Sequence, residues 1–277
     1  MTLDDRLAAL DRLLAPMPGV LVAFSGGVDS GMLLAAAVRT LGTDRVVAAT
    51  AISPSLPRSE RAGAAEFVAS LGVRHETPRT DELSRPGYVA NAGDRCAFCK
   101  TELIEVLRPL ADSLGIADVV TGTNADDLRA GFRPGIRAAA ERGARTPLAD
   151  AGLTKADVRA AARLWGLALA DKPAAACLAS RIAYGVPVSA ERLARVEAAE
   201  TALRDALAAA GIPVRNLRVR DMGDVARVEV DAALLPEVAA REGLLAAVAG
   251  FDRVELDPRG FRSGSMNELL PDPVRYR

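Results

Sequence analysis

Residues 19–38 read GVLVAFSGGVDSGMLLAAAV, and the first half of this stretch is a short apolar run with β-branched character. Gly26 and Gly27 follow, and from Gly31 the pattern GMLLAAAVRTLG is helical. The reading is a buried strand that turns through two glycines into a helix. In a doubly wound sheet, ligands bind at the carboxyl ends of the strands. Two glycines let backbone N–H groups come close to an anion. Ser25 and Ser30 add hydroxyl donors, and the start of the helix adds roughly half a positive charge. The stretch is neither G-x-x-x-x-G-K-[ST] nor G-x-G-x-x-G. A plain strand–turn–helix would use the same glycines for its turn alone.

The surroundings extend this pattern in both directions. MTLDDRLAALDRLLAP at the start spaces Leu3, Leu7, Leu10 and Leu14 as an amphipathic helix. Downstream, 45–53 reads as a strand, 58–72 as a helix and 73–78 as a short strand. Residues 101–115 then read as a helix, 117–124 as a strand and 154–166 as a helix with Thr154 as N-cap. Alternating buried strands and helices predict an α/β protein with a doubly wound parallel sheet. Past 183 the character changes. A turn and long helix occupy 184–211, and LRVRDMG and VARVEVD read as antiparallel strands. Residues 234–250 read as one helix and 251–257 as a last strand. We expect two domains, 1–183 and a smaller C-terminal α/β domain, 184–277.

Bulk properties exclude several classes. The 277 residues are half hydrophobic and only 4% aromatic, with 35 Lys+Arg against 36 Asp+Glu and a net charge of −1. That balance argues against a nucleic-acid partner, which needs a basic excess. No apolar run approaches the ~18 residues of a membrane span. The acidic start is not a signal peptide. A cytoplasmic protein is the expectation, with no membrane partner.

SGGVDS (25–30) resembles the PP-loop of the N-type ATP pyrophosphatases, whose fold is that of the adenine nucleotide alpha hydrolases. These enzymes split ATP between its α and β phosphates and adenylate a substrate oxygen. The resemblance implies that Ser25, Gly26, Gly27, Asp29 and Ser30 hold the pyrophosphate with magnesium. TGTNADDLRAGFRPG (121–135) resembles the G-T-N-x-D-D segment of the same superfamily. It implies Gly122, Asn124 and Asp127 beside the nucleotide, with Asp126 as a magnesium contact. The two adjacent carboxylates equally suit helix capping. Ser53 and Ser55 follow another strand and suit either a nucleotide pocket or a turn. Arg133 and Arg137 suit phosphates or plain solvent.

The chain holds three cysteines and one histidine. Cys96 and Cys99 stand in DRCAFCK (94–100), and Cys177 stands in AACLASR. Read from the residues, they allow a redox C-x-x-C, a zinc site completed by His75, an iron–sulfur cluster with three thiolates and one open iron, or three unrelated thiols. Three ligands and a vacancy is the pattern of a reactive cluster.

DRCAFCK, CLASRIAYGVPVS (177–189), LRVR (217–220) and GFRSGSMNELL (260–270) resemble segments of the LarE family, ATP-dependent sulfur transferases. The similarity runs from the first strand to the region of residue 270. That family adenylates a carboxylate of a pyridinium dicarboxylate mononucleotide and replaces its oxygen with sulfur. The product becomes the nickel-pincer nucleotide cofactor of lactate racemase. In one branch the cysteine of C-L-A-S-R surrenders its own sulfur. In the other, three cysteines hold a 4Fe–4S cluster that carries an extra sulfide. Cys96, Cys99 and Cys177 place this sequence with the three-cysteine branch, with Cys177 able to act sacrificially if no cluster assembles.

The resemblance further implies a nicotinate-derived mononucleotide as substrate and a trimer or hexamer of identical chains. It places Arg181, Arg218 and Arg220 at the substrate phosphate, where guanidinium forks suit planar oxyanions. Arg262 is a weaker candidate. Glu200 resembles an acidic residue near the sulfur, although a solvated helix face is the simpler expectation for it. Lys100 and Lys172 are candidates for phosphate contact. Rival readings are a tRNA thiolase, an ammonia-using synthetase, and a nucleotide-binding regulator with a redox-sensing thiol trio.

Overall fold

The apolar run after Gly19 folds as β1 (Val20–Ala23), buried at every position. β2 (Val46–Ala49) pairs with it in parallel on one side and carries β3 (Arg74–Glu76) in turn. The chain then returns past β1, and β4 (Asp118–Thr121) pairs with it in parallel on the other side. The order β3-β2-β1-β4 therefore reverses between β1 and β4. The computed structural model describes residues 1–129, 134–173, 176–241 and 243–270. Arg133 lies outside them.

These residues form two units. The first comprises Met1–Glu82 and residues 96–173. Its sheet has helices on both faces, as the period of two along a strand requires. Val20 and Val22 share one core with α1 (Leu3–Leu14), α2 (Val28–Leu41), α3 (Arg58–Ser70) and a later helix, Lys155–Leu164. Leu21 and Ala23 face the other way, onto Ile104, Leu107 and Ala111 of α4 (Arg95–Ser113). This arrangement is α/β with a parallel sheet flanked by helices, compatible with double winding. The Lys155–Leu164 helix, α5, starts at Thr154 with a capping box closed by Asp157.

α4 begins six residues earlier than the 101–115 expectation. Cys96 and Cys99 therefore lie within its opening turns, not on a preceding loop. Their i, i+3 spacing puts both on one face of the helix.

The second unit comprises Leu83–Arg95 and residues 176–270. β5 (Leu217–Asp221) pairs antiparallel with β6 (Val225–Val230), as the alternation requires, and β6 pairs in parallel with β7 (Arg253–Leu256). Leu217, Val219, Val228 and Val230 form a core with Ala199, Leu203 and Leu207 of α6 (Ala190–Ala209). Residues 234–250 are not one helix. A short helix spans Leu235–Ala240, the chain turns extended at Arg241, and Gly243 takes a positive φ.

Asn91 ties the two segments of this unit together. It is fully buried, and among the described residues it alone of the non-glycines has a positive φ, 53°. Asparagine is among the residue types that tolerate that region best. Its side-chain amide donates to the carbonyls of Ala183 at 2.7 Å and Val186 at 2.8 Å, and its Oδ1 accepts from Arg95. The buried Arg95 also donates to the Ala179 carbonyl at 2.9 Å.

Candidate functional site

Open α/β sheets bind ligands outside the carboxyl ends of the strands where strand order reverses. Here that crevice lies between the ends of β1 and β4. The residues following β1 are Phe24 to Ser30, and those following β4 are Gly122 to Asp127. Both were picked out by motif, and the structure brings them together. A Cβ on Gly122 would stand 2.6 Å from the backbone N of Ser30. Only glycine permits so close an approach.

The loop is ordered from within. The Ser30 hydroxyl donates to the Gly27 carbonyl at 3.1 Å and accepts the Ser25 N–H at 3.2 Å. Gly27 is the N-cap of α2 and contributes no side chain to its amides. The first amides of a helix have no helical carbonyl to serve, so they remain donors for an anion. Gly26 takes φ 74°, a left-handed conformation suited to glycine. Ser25 is exposed at the mouth.

Asp29 and Asn124 meet across the crevice, with Asn124 Nδ2 donating to Asp29 Oδ1 at 3.1 Å. Asn124 Oδ1 also accepts the N–H groups of Asp126 and Asp127, at 3.0 and 3.1 Å, and so caps the short helix Ala125–Arg129. Asp127 Oδ2 accepts the Asn124 N–H at 3.2 Å, and Asp126 Oδ2 accepts the Lys155 N–H at 2.9 Å. Capping is thus one role of this acidic pair. Carboxylate oxygens such as those of Asp126 and Asp127 are by their chemistry ligands for a hard divalent cation.

Two residues at this crevice, Lys155 and Glu60, were not singled out from sequence, and a third, Lys172, was a candidate for phosphate contact. Lys155 pairs through Nζ with Asp29. Lys172 Nζ donates to the Gly26 carbonyl at 2.9 Å and to Glu60 Oε2 at 2.6 Å. Lys155 was legible only as the residue after an N-cap, and Glu60 only as a first-turn acid of α3.

Other candidates make contacts within their own neighbourhoods or on neighbouring strands. Ser53 accepts the Ser55 N–H at 3.2 Å, a local turn. Arg137 is exposed and pairs with Glu141 at 3.6 Å. His75 is half-buried on β3, its Nε2 2.9 Å from Thr50 Oγ1. Burial lowers its pKa, against an upward pull from Glu76. A histidine held neutral in the fold makes stability full above its unfolded pKa and lower as pH falls beneath it. We expect the melting midpoint to drop as pH falls below about 6.5. His75→Gln, which retains a partner for Thr50, should flatten that part of the curve. An unchanged slope would assign the drop to carboxylates instead.

In the second unit the arginines called from sequence converge. Arg181 lies at the end of the turn Leu178–Arg181 that Cys177 caps, and Arg218 and Arg220 alternate on β5. Arg181 forks onto Glu200, Nε to Oε1 at 2.9 Å and Nη2 to Oε2 at 3.1 Å. Glu200 is therefore no solvated helix residue. Its Oε1 also accepts the Val219 N–H at 3.1 Å, satisfying a donor of the edge strand β5. Arg220 binds Glu229 Oε2 through two nitrogens, at 3.0 and 2.7 Å, and reaches the Ser180 carbonyl at 3.1 Å. Burial, then the neighbouring Arg181 and Arg220 charges, press the pKa of Arg218 down to about 10, with Glu200 opposing. Arg262 pairs with Glu268, and its Nε and Nη2 are buried with no hydrogen-bond partner among the described residues.

None of the three cysteines is in a disulfide. Cys96 and Cys177 are exposed and Cys99 partly so. Thiolate donors suit iron or zinc. Among the described residues, no three His, Cys, Asp or Glu side chains are gathered to hold a metal. No described helix is long and apolar enough to cross a membrane. Lys100 is partly exposed, and its stem packs near Gly135.

Comparison with known proteins now adds to the geometry. No protein-family model matches the chain. An uncharacterized protein of Synechocystis sp. is 40% identical over 273 residues, covering 97% of this chain and 99% of its own. The pyridinium-3,5-bisthiocarboxylic acid mononucleotide synthase of Lactiplantibacillus plantarum is 35% identical over 272 residues, 97% of this chain and 96% of its own. An uncharacterized protein of Methanocaldococcus jannaschii is 27% identical over 249 residues, 88% and 91% respectively. Identity of this extent with the Lactiplantibacillus synthase shows that the chain belongs to the LarE family.

Proposed function

We propose that this protein is an ATP-dependent sulfur transferase. It adenylates a carboxylate of a pyridinium dicarboxylate mononucleotide and replaces the carboxylate oxygen with sulfur, toward the nickel-pincer nucleotide. The observation that carries this reading is end-to-end similarity to a synthase named for the bisthiocarboxylic acid product. The crevice between β1 and β4 supports the first half-reaction. A carboxylate oxygen leaves poorly and AMP leaves well, so activation needs a site that stabilises departing pyrophosphate. Ser25, Gly26, Gly27 and Ser30 are the residues assigned to that pyrophosphate, with Gly122 and Asn124 beside the nucleotide. Asp29, Asp126 and Asp127 supply oxygens suited to magnesium.

Arg181, Arg218 and Arg220, with the unsatisfied donors of Arg262, are assigned to the substrate phosphate. Cys96, Cys99 and Cys177 are assigned as ligands of a 4Fe–4S cluster, which when bound supplies an open iron to carry the transferable sulfide. The active species is proposed to be a homo-oligomer.

The test is anaerobic purification with iron and sulfide counts, followed by reaction with ATP, magnesium and the pyridinium mononucleotide. Pyrophosphate release dependent on that substrate, with a thiocarboxylate product over several turnovers, is the expected result. Cys96→Ala should lose the iron and the repeated turnovers. A colourless protein that transfers sulfur once and loses hydrogen sulfide mass at Cys177 would replace the cluster with sacrificial chemistry. ATP binding without any cleavage would favour a regulatory module.

A further inference from the structure

Lys172 and Glu60 have no role in the reaction just described, yet both stand against the glycine loop. Glu60 projects from the first turn of α3. That helix is fixed beside the loop by Phe67, whose ring stacks on Phe24 with centroids 5.5 Å apart. Lys172 sits on a turn braced by Arg159, which donates to the carbonyls of Ala170 at 2.7 Å and Lys172 at 3.0 Å. The ammonium is thus delivered from two well-held elements onto one backbone oxygen, that of Gly26.

That oxygen matters because the peptide is planar and trans. The Gly26 C=O and the Gly27 N–H belong to one peptide plane and point in opposite directions. Glycine on both sides leaves this plane unusually free to rotate. Turned one way, it offers an N–H to an oxyanion; turned the other, it offers a carbonyl oxygen, which repels it. A cation that captures the carbonyl selects the first orientation.

We propose that Lys172, aimed by Glu60, is a positioning residue that latches the Gly26–Gly27 peptide so that the Gly27 N–H faces the bound phosphate oxygens. This rests on the nucleotide reading of the loop. It makes a prediction whose sign separates it from general electrostatics. Glu60 is a negative charge beside an anion site, so neutralising it should tighten anion binding if charge alone acts. If Glu60 acts by aiming Lys172, neutralising it weakens binding.

The experiment is calorimetric titration of the full chain with inorganic pyrophosphate and, separately, with Mg–ATP. Lys172→Met is expected to weaken both by about tenfold or more, the loss of a charged hydrogen bond. Glu60→Gln should weaken both by about threefold or more, since the bond loses its charge assistance. The double variant should be no weaker than Lys172→Met alone, because one latch is broken once. Lys172→Arg should recover part of the affinity. Equal or tighter binding by Glu60→Gln, or losses that multiply in the double variant, would overturn the latch. If Lys172→Met does not fold, the Glu60→Gln and Lys172→Arg arms decide alone. If the unaltered protein binds neither ligand, the nucleotide reading fails and takes the latch with it. If it binds both and Glu60→Gln is unaffected, only the latch fails.

Discussion

Gly122→Ala should lower ATP-dependent pyrophosphate release by about a hundredfold or more, the cost of a displacement near 1 Å at a reacting centre. The added Cβ would lie 2.6 Å from Ser30 N, 2.8 Å from Ser30 Cα and 3.0 Å from Asp29 C. All three are backbone atoms at the start of α2, so no side-chain rotation relieves the clash. The strand end and the glycine loop must separate, and the loop amides move with them. Overpacking should also cost about 1–3 kcal/mol of stability. Gly63→Ala is the control. Gly63 lies within α3 with open space where its Cβ would go, so alanine there should leave activity intact and stabilise slightly. Activity of Gly122→Ala within a few-fold of the unaltered protein would mean that the two segments do not share a working site.

Arg220→Leu is expected to destabilise the second unit by about 3–5 kcal/mol, the range for breaking a buried ion pair. The side chains of Arg220 and Glu229 are 6% and 2% exposed. Without the guanidinium, Glu229 keeps a bond from the Ser265 hydroxyl at 2.7 Å and no equivalent charge. The stranded carboxylate, more than the lost contact, sets the cost. Arg220→Leu with Glu229→Leu should therefore recover most of the stability. If Arg220 holds the substrate phosphate as proposed, the double variant should not recover binding of the mononucleotide. Denaturant melts and substrate titration on the three proteins separate the two effects. A double variant that regains both would remove Arg220 from the substrate site.

Much of the first unit was readable in advance because its signals are local. The apolar run before Gly26, the glycines themselves and T-G-T-N each mark one strand end. Their meeting follows from parallel winding. The Thr154 cap was equally plain, since Asp157 completes its box three residues on. What escaped was set by distance along the chain. The residues preceding Cys96 carry no apolar periodicity, so the first turn of α4 read as loop. Glu200 looked solvated because its partners, Arg181 and the Val219 amide, lie 19 residues away on either side. Lys172 and Glu60 are 112 residues apart, and nothing in either neighbourhood names the other. Charge on a helix face is ambiguous until the opposing surface is known.

The excursion of Leu83–Arg95 into the second unit bears on how this protein is made and inherited. During synthesis Asn91 emerges long before Ala183 and Val186, so its side-chain amide is served by water until those carbonyls are made. A gene cut near residue 176 would not yield a portable cassette either, because the carboxyl-terminal piece would lack the asparagine and arginine that fasten its own backbone. Recombination can therefore not trade these units as independent parts, and they are expected to travel through descent as one.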